Sequence, residues 1–108
     1  MGCKYSYRFT ETAEQDLDEI LRYISVDLVN PTAAQNLGRK VFEKIDMACV
    51  FPDSGTLVDN EFLADKMVRA LLVDHYVICY KANHEEKVIS VIRIVYGKRN
   101  RDEILKTM

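Results

Sequence analysis

The sequence predicts an α+β domain in which two helices pack on one face of a mostly antiparallel sheet. The last third of the chain holds three runs rich in Val, Ile, Leu and Tyr, separated by short polar breaks, which is typical of antiparallel strands. Residues 10–50 instead show apolar side chains at helical spacing. A chain of 108 residues, 48% of them hydrophobic, can build one core. We therefore expect residues 1–108 to form a single domain.

The N-terminal part predicts a strand followed by a helix. Tyr5, Tyr7 and Phe9 alternate with polar residues and would share one face of the first strand. Thr10 is a suitable N-cap for the helix that follows. The helix would bury a face with steps of three and four residues, formed by Ala13, Leu17, Ile20, Leu21, Ile24 and Leu28. Its other face would be solvated and carries Glu14, Asp16, Asp18, Glu19 and Arg22.

A second helix is predicted to start at Asn30-Pro31. Asn is a good N-cap, and Pro is favoured in the first helical turn because its missing N–H needs no partner there. The short connection predicts an antiparallel helical hairpin. The buried face of this helix would contain Ala34, Leu37, Val41, Ile45 and Ala48.

The remaining residues complete a four-stranded sheet in the order β-α-α-β-β-β. Residues 51–55 form a turn, and residues 56–66 a long loop with one short helical turn at 61–65. The three C-terminal strands then follow, the first two joined by Asp74-His75. A short C-terminal helix starting at Asn100 or Asp102 is an option. With the helices on one face of the sheet, the opposite face would be available for a site.

Charge is distributed unevenly along the chain. The net charge of −2 divides into −6 for residues 1–65 (6 Lys/Arg, 12 Asp/Glu) and +4 for residues 66–108 (9 Lys/Arg, 5 Asp/Glu). A basic cluster of Lys98, Arg99 and Arg101 follows the last strand. Such a domain can present a basic face to phosphate or to an acidic protein segment.

Several classes of protein are disfavoured. The three cysteines match no metal motif, and we expect no metal, no cofactor and a reducing, cytoplasmic location. No apolar run approaches the roughly 20 residues of a membrane span, and the N-terminus lacks a secretory signal, so no membrane partner is expected. The chain also lacks a Gly-rich phosphate loop and a nucleophile-elbow motif.

Two arginines, Arg69 and Arg93, interrupt apolar rows of predicted strands. One interpretation pairs them with Asp74, Glu85 or the C-terminus, because a charged residue there is rarely buried alone. The other has them converge with the basic cluster on a phosphate or carboxylate, which forked guanidinium groups bind well. The candidate phosphate- or partner-binding set is then Arg69, Arg93, Lys98, Arg99 and Arg101.

A catalytic role would need an acid or base as well, because arginine keeps its proton at neutral pH. Tyr96 and His75 are side chains that could serve as this acid or base. The candidate catalytic residues are therefore Arg69, Arg93, Arg99, Tyr96 and His75, with no firm assignment among them.

Five short patterns occur in a fixed order between residues 5 and 105. They are Ala13-x3-Leu17-x2-Ile20-x2-Tyr23-Ile24, Pro31-x2-Ala34, Phe51-Pro52-x2-Gly55, Arg69-x-Leu71-x-Val73-x2-Tyr76-x-Ile78-x-Tyr80 and Val91-Ile-Arg93-Ile-x2-Gly97-Lys-Arg99. In this order and at this length, the sequence resembles the RelE/ParE superfamily of bacterial toxins from type II toxin–antitoxin modules. The resemblance implies the same α+β fold, growth arrest, a role in plasmid stabilisation and neutralisation by a cognate antitoxin. A homodimer is also compatible with it.

The superfamily has two mechanisms, and the resemblance favours one of them. RelE-like members cut mRNA on the ribosome, and ParE-like members poison DNA gyrase. The stretch 97–101 is similar to a basic motif of RelE, but Leu105 occupies the position of a tyrosine important for cutting. We therefore expect a ParE-like, non-nuclease toxin. The alternatives are a RelE-like mRNA endoribonuclease that uses Arg69, Arg93 and Arg99, and a non-toxic relative that only binds its antitoxin.

Overall fold

The structure, a computed structural model, describes residues 5–57 and 68–97. The elements follow the predicted order, with one added strand. They are β1 (Ser6–Phe9), α1 (Glu11–Arg22), a π-helical turn (Tyr23–Asp27), α2 (Pro31–Val50), β2 (Thr56–Leu57), β3 (Val68–Val73), β4 (Tyr76–Asn83) and β5 (Val88–Tyr96).

The sheet has five strands in the order β1-β5-β4-β3-β2. β1 runs parallel to β5, and the other neighbours are antiparallel. The predicted fold class is confirmed, but the count of four strands is wrong. The added strand β2 falls in the predicted loop and pairs Thr56 with Ala70 and Leu57 with Arg69. A strand of two residues is too short to show an alternating pattern, so its pairing depends on the neighbouring strand.

Both predicted helix starts are confirmed. The Thr10 hydroxyl oxygen accepts a hydrogen bond from the Ala13 N–H at 3.1 Å, and the Asn30 side-chain oxygen accepts one from Ala33 at 3.1 Å. Pro31 lies in the first turn of α2, where no intrahelical N–H is needed. Each cap satisfies a backbone donor that a helix start leaves without a partner.

The end of the first helix differs from the prediction. α1 continues into the π-helical turn, whose wider winding changes the direction of the side chains after it. Leu28, expected on the buried face, is 56% exposed as a result. Val29 then takes a positive φ of 49°, a conformation that a β-branched residue rarely adopts.

The main core lies between the helices and the sheet. The predicted face of α2 is fully buried, and Ala13 and Leu17 of α1 pack in the same layer. This core contains Ala13, Leu17, Leu37, Val41, Ile45, Val73, Ile78, Val91 and Ile94.

The opposite face of the sheet is not the open surface that the sequence suggested. Side chains alternate between the two faces of a strand, so Val77 and Cys79 point away from the helix-facing Ile78. Both are nevertheless 0% exposed, and Val68 and Val95 beside them are 3% and 4% exposed. These described residues at the centre of the opposite face are therefore buried rather than open to a ligand.

Three sequence predictions lie outside the described residues: the helical turn at 61–65, the C-terminal helix, and the positions of Lys98, Arg99, Arg101 and Leu105. Within residues 5–57 and 68–97, no helix is long and apolar enough to cross a membrane.

Candidate functional site

A groove of about 760 Å³ opens where α1 and the π-helical turn pass the ends of β4 and β5. We call it the tyrosine groove, because Tyr23, Tyr76 and Tyr96 form much of its wall. Its lining residues are Asp16, Glu19, Ile20, Tyr23, Leu28, Tyr76, Arg93, Ile94, Val95 and Tyr96. It thus combines apolar and aromatic walls with a few polar groups, as binding sites commonly do.

The aromatic side of the groove is formed by adjacent strand ends. The Tyr76 and Tyr96 rings meet edge to face with centroids 5.3 Å apart, and the His75 ring lies 6.3 Å from that of Tyr96. Burial raises the pKa of the Tyr76 hydroxyl, and Tyr96 and Tyr23 add to the rise because each would carry a like charge when ionised. Tyr76 therefore offers a neutral hydroxyl at physiological pH and is unsuited to act as a base.

Arg93, at the polar side of the groove, is paired with Asp16 of α1. Its Nε and Nη2 donate to the two Asp16 carboxylate oxygens at 2.7 Å and 3.1 Å. The Arg93 and Asp16 side chains are only 21% and 13% exposed. The prediction that Asp16 lies on a solvated face is therefore wrong. Arg93 pairs with Asp16, and neither Asp74 nor Glu85 is its partner.

A β-bulge in β5 explains this pairing. Cys79 pairs with Arg93 and Tyr80 with Val91, so Ile92 is an extra residue that disturbs the regular alternation. β1 ends at Phe9, and beyond this point the N-cap and first residues of α1 contact the edge of β5. The Thr10 hydroxyl donates to the Ile92 carbonyl at 3.2 Å, and the Ile94 N–H donates to Asp16 at 3.1 Å.

Arg69 serves a different part of the molecule. Its Nη1 donates to the carbonyl oxygens of Gly55 at 2.7 Å and Asp53 at 3.2 Å, and its Nη2 lies 3.6 Å from the Asp53 carboxylate. Beside it, the buried Tyr80 hydroxyl donates to the Pro52 carbonyl and accepts from the Gly55 N–H. Arg69 and Tyr80 together hold the turn that follows α2.

The candidate site residues therefore separate into two groups. Arg93 and Tyr96 line the tyrosine groove, and His75 contacts Tyr96 at its rim. Arg69 lies on β3, with β4 between it and Arg93, and contacts the turn at residues 52–55. The structure does not bring the two arginines into one described site.

Gly97 connects the groove to the basic cluster in the sequence. Its N–H donates to the His75 carbonyl at 2.7 Å, and its φ of +74° suits glycine. Lys98 follows directly in the sequence, and the basic cluster that it begins lies outside the described residues.

Sequence reasoning missed Tyr23, Tyr76 and Asp16 as groove residues. The available signal was weak: two aromatic residues at element ends, and one carboxylate within an acidic stripe. Among the described residues, no group of three or more His, Cys, Asp and Glu side chains could hold a metal ion.

Comparisons with known proteins agree with this architecture. The chain has the fold of two solved toxin–antitoxin structures. One, the chromosomal ParDE TA system from P. aeruginosa, gives a TM-score of 0.67 with 21% identity, covering 88% of this chain and 98% of that chain. The other, the toxin–antitoxin complex RelBE2 from Mycobacterium tuberculosis, gives a TM-score of 0.61 with 18% identity, covering 87% and 99%. No curated protein sequence gives a significant match.

The match to a toxin family model and the shared fold together place the domain in the RelE/ParE superfamily of toxins. Within that class, residues 7–101 match the family model described as the ParE toxin of the type II toxin–antitoxin system, parDE. The match spans most of the chain, and the protein belongs to this family.

Proposed function

We propose that the protein is the growth-arresting toxin of a bacterial toxin–antitoxin pair, acting in the cytoplasm on DNA gyrase rather than by cutting mRNA. The family match supports the toxin assignment. The choice between the two mechanisms depends on the hydrogen bonds that Arg69 and Arg93 already make within the protein. Arg93 is held by the Asp16 carboxylate, and Arg69 by the carbonyl groups of Asp53 and Gly55.

The physical argument concerns the cations that an RNA-cleaving site needs. Cleavage by the ribose 2′-hydroxyl requires positive groups directed at the developing phosphorane charge, together with a base and an acid. Arg93, already paired with the Asp16 carboxylate, presents a neutralised group to an incoming phosphate. Arg69 keeps its charge, but its Nη1 already donates to two backbone carbonyls. The groove instead offers three tyrosines, and a basic segment follows the last of them in the sequence. This composition suits contact with a protein surface, because aromatic residues and arginine are enriched at interfaces.

The test is induction of the protein in cells, followed by primer extension on abundant mRNAs and an assay for DNA breaks. We expect growth arrest with DNA damage and intact messages. Arg99→Ala should weaken the arrest, because the basic cluster supplies the contacts to the target. Arg39→Ala removes an exposed arginine of α2 and is the matched control, expected to leave toxicity unchanged.

Two other outcomes would replace the proposal. Codon-registered mRNA cuts that disappear in Arg99→Ala would make the protein a RelE-like endoribonuclease, with Tyr96 and His75 the next residues to substitute. Normal growth together with tight antitoxin binding would identify a non-toxic relative.

The partner in this proposal is a cognate antitoxin encoded by a neighbouring gene, in a module that stabilises a plasmid or chromosomal region. The two solved structures named above are toxin–antitoxin systems, which supports the analogy. We further propose that residues 1–108 act as one domain, and that the chain forms a homodimer when the antitoxin is absent.

A further inference from the structure

A second groove, of about 580 Å³, lies between β1, α1 and α2, away from the tyrosine groove. We call it the β1 groove. Tyr7, Phe9 and Phe42 form an aromatic cluster in it, with ring centroids 5.8–6.1 Å apart. Tyr7 is 45% and Phe42 is 42% exposed, so this cluster is only half covered by the protein itself.

The rim of the β1 groove is acidic on one side. Glu11, Glu14 and Asp18 line it along α1, and its described lining contains no Lys or Arg. Asp18 lies 3.9 Å from the Arg22 guanidinium, and both side chains are 76% exposed, so this ion pair contributes little. Steps of three and four residues place the three carboxylates in one row, about 10 Å long at the helical rise.

We propose that the β1 groove binds a cationic amphipathic helix of the antitoxin, which inserts apolar side chains between the aromatic rings and aligns Lys or Arg with the carboxylate row. This inference rests on the proposed function, because it names where and by what chemistry the partner binds. A helix fits because its own cations at steps of three and four residues match the spacing of the row. The aromatic faces add attraction for the same cations.

Charge selects this occupant over others. A segment rich in Asp and Glu would be repelled by the row, whereas a cationic one would associate faster and with a marked salt dependence. The β1 groove attracts positively charged side chains, whereas the basic C-terminal cluster attracts negatively charged ones. The antitoxin must therefore present cations at the β1 groove even if it is acidic elsewhere.

The experiment uses the full chain and the purified product of the neighbouring reading frame, titrated by calorimetry at low and high salt. Glu14→Lys with Asp18→Lys should weaken binding about 10-fold or more and reduce its salt dependence, because two attractive contacts become repulsive. Phe42→Ser should weaken binding by about 30-fold, as expected for a central aromatic anchor. Met47→Ser truncates an exposed apolar residue of the same helix, and Glu85→Lys reverses a charge in the β4–β5 turn. Neither residue lines the β1 groove, so these two variants are the controls.

Reversing charges on the partner completes the test. Lys→Glu or Arg→Glu changes in the antitoxin helix should restore binding to the Glu14→Lys, Asp18→Lys protein, an effect that misfolding of either variant would not produce. Wild-type affinity in the double variant, or no restoration by any reversal, would overturn the proposal. Loss of self-association in Phe42→Ser with unchanged antitoxin affinity would also overturn it and assign the groove to a second copy.

Toxicity separates this inference from the proposed function. If the wild-type chain arrests growth but the groove variants are still neutralised by the antitoxin, only the groove assignment fails. If the wild-type chain binds the antitoxin through the groove but causes no arrest, only the toxin assignment fails.

Discussion

The pair of Asp16 and Arg93 controls how α1 meets the edge of the sheet. The bulge at Ile92 frees β5 from regular pairing, and one carboxylate then accepts from both the Arg93 guanidinium and the Ile94 N–H. Charged hydrogen bonds at such low exposure contribute more than surface ion pairs. The pair therefore has a structural role that also sets the charge of the tyrosine groove.

Replacing Asp16 by Ala should lower the free energy of unfolding by about 2 kcal/mol, because the charge of Arg93 and the Ile94 N–H lose their acceptor. The measurement is urea unfolding at neutral pH. Asp18, two residues further along α1, is 76% exposed, and Asp18→Ala should change the free energy of unfolding by no more than about 0.5 kcal/mol. Equal losses in the two variants would contradict a specific role for Asp16.

The raised pKa of Tyr76 predicts a change at alkaline pH. The folded protein holds this proton more tightly than the unfolded chain, whose tyrosines titrate near about pH 10. The stabilisation that comes from holding this proton is fully present below that pH. It is lost as the pH rises through the pKa of Tyr76 in the folded protein, so the free energy of unfolding should decrease over that range. In a spectroscopic titration of the folded protein, Tyr76→Phe should reduce the late-ionising signal by the amplitude of one tyrosine. An unchanged late-ionising signal in Tyr76→Phe would refute the assignment.

Among the elements, β4 anchors the segment that follows α2. Tyr80 reaches across to the Pro52 carbonyl and the Gly55 N–H, and Gly55 is packed so closely that an added Cβ would lie 2.8 Å from the Tyr80 ring. This contact sets where β2 begins and lets it pair with β3. The short strand thus depends on the buried Tyr80 hydroxyl together with Arg69, which donates to the Gly55 carbonyl.

Tyr80→Phe should cost about 1–3 kcal/mol, because the buried Gly55 N–H loses its acceptor. Amide hydrogen exchange should accelerate at residues 55–57 relative to the centres of β4 and β5. Tyr96→Phe is the control, since this exposed side chain has no such role in the turn. Unchanged exchange at residues 55–57 would show that the turn is held by Arg69 alone.

The connection between the π-helical turn and α2 contains a strained residue, Val29. Val29 has a left-handed backbone and is 79% exposed, so little packing is lost on replacing it. Val29→Asn should raise the unfolding free energy by about 1 kcal/mol, because Asn tolerates this conformation better than a β-branched residue. Val26→Asn is the control, because Val26 is exposed within the π-helical turn and has no positive φ, and it should give no gain. Thermal unfolding of both variants provides the comparison, and equal midpoints would argue against strain at Val29.

For the whole molecule, exposed apolar side chains surround the helical layer. They form the rim of both grooves and the tip of the hairpin: Tyr7, Tyr23, Val26, Leu28, Val29, Phe42 and Tyr96. Apolar surface of this extent commonly marks an interaction site.

The free chain should therefore self-associate as its concentration rises. Light scattering after size exclusion should give a mass above the 12.5 kDa of one chain. Saturation with the antitoxin should replace these species by a complex of defined mass. A strict 12.5 kDa monomer at high concentration would rule out the homodimer without affecting the antitoxin proposal.

Local rules in the sequence determined the main elements of the fold. The caps at Thr10 and Asn30, the buried face of α2 and the two-residue connection at Asp74-His75 all depend on neighbours within a few residues, and the structure has them as predicted. The family patterns are also local, which is why the toxin class was recognisable from the sequence.

Tertiary structure alone decided the site. Arg69 and Arg93 look alike in the sequence, since each interrupts an apolar row. Arg69 donates to the turn at Asp53–Gly55, whereas Arg93 pairs with Asp16, 77 residues away in the sequence. The bulge at Ile92 and the π-helical turn at Tyr23 set which side chains face the groove, and both depend on packing between distant elements. The physical reason is that a charged side chain finds its partner by proximity in space, which the spacing of residues along one strand does not specify.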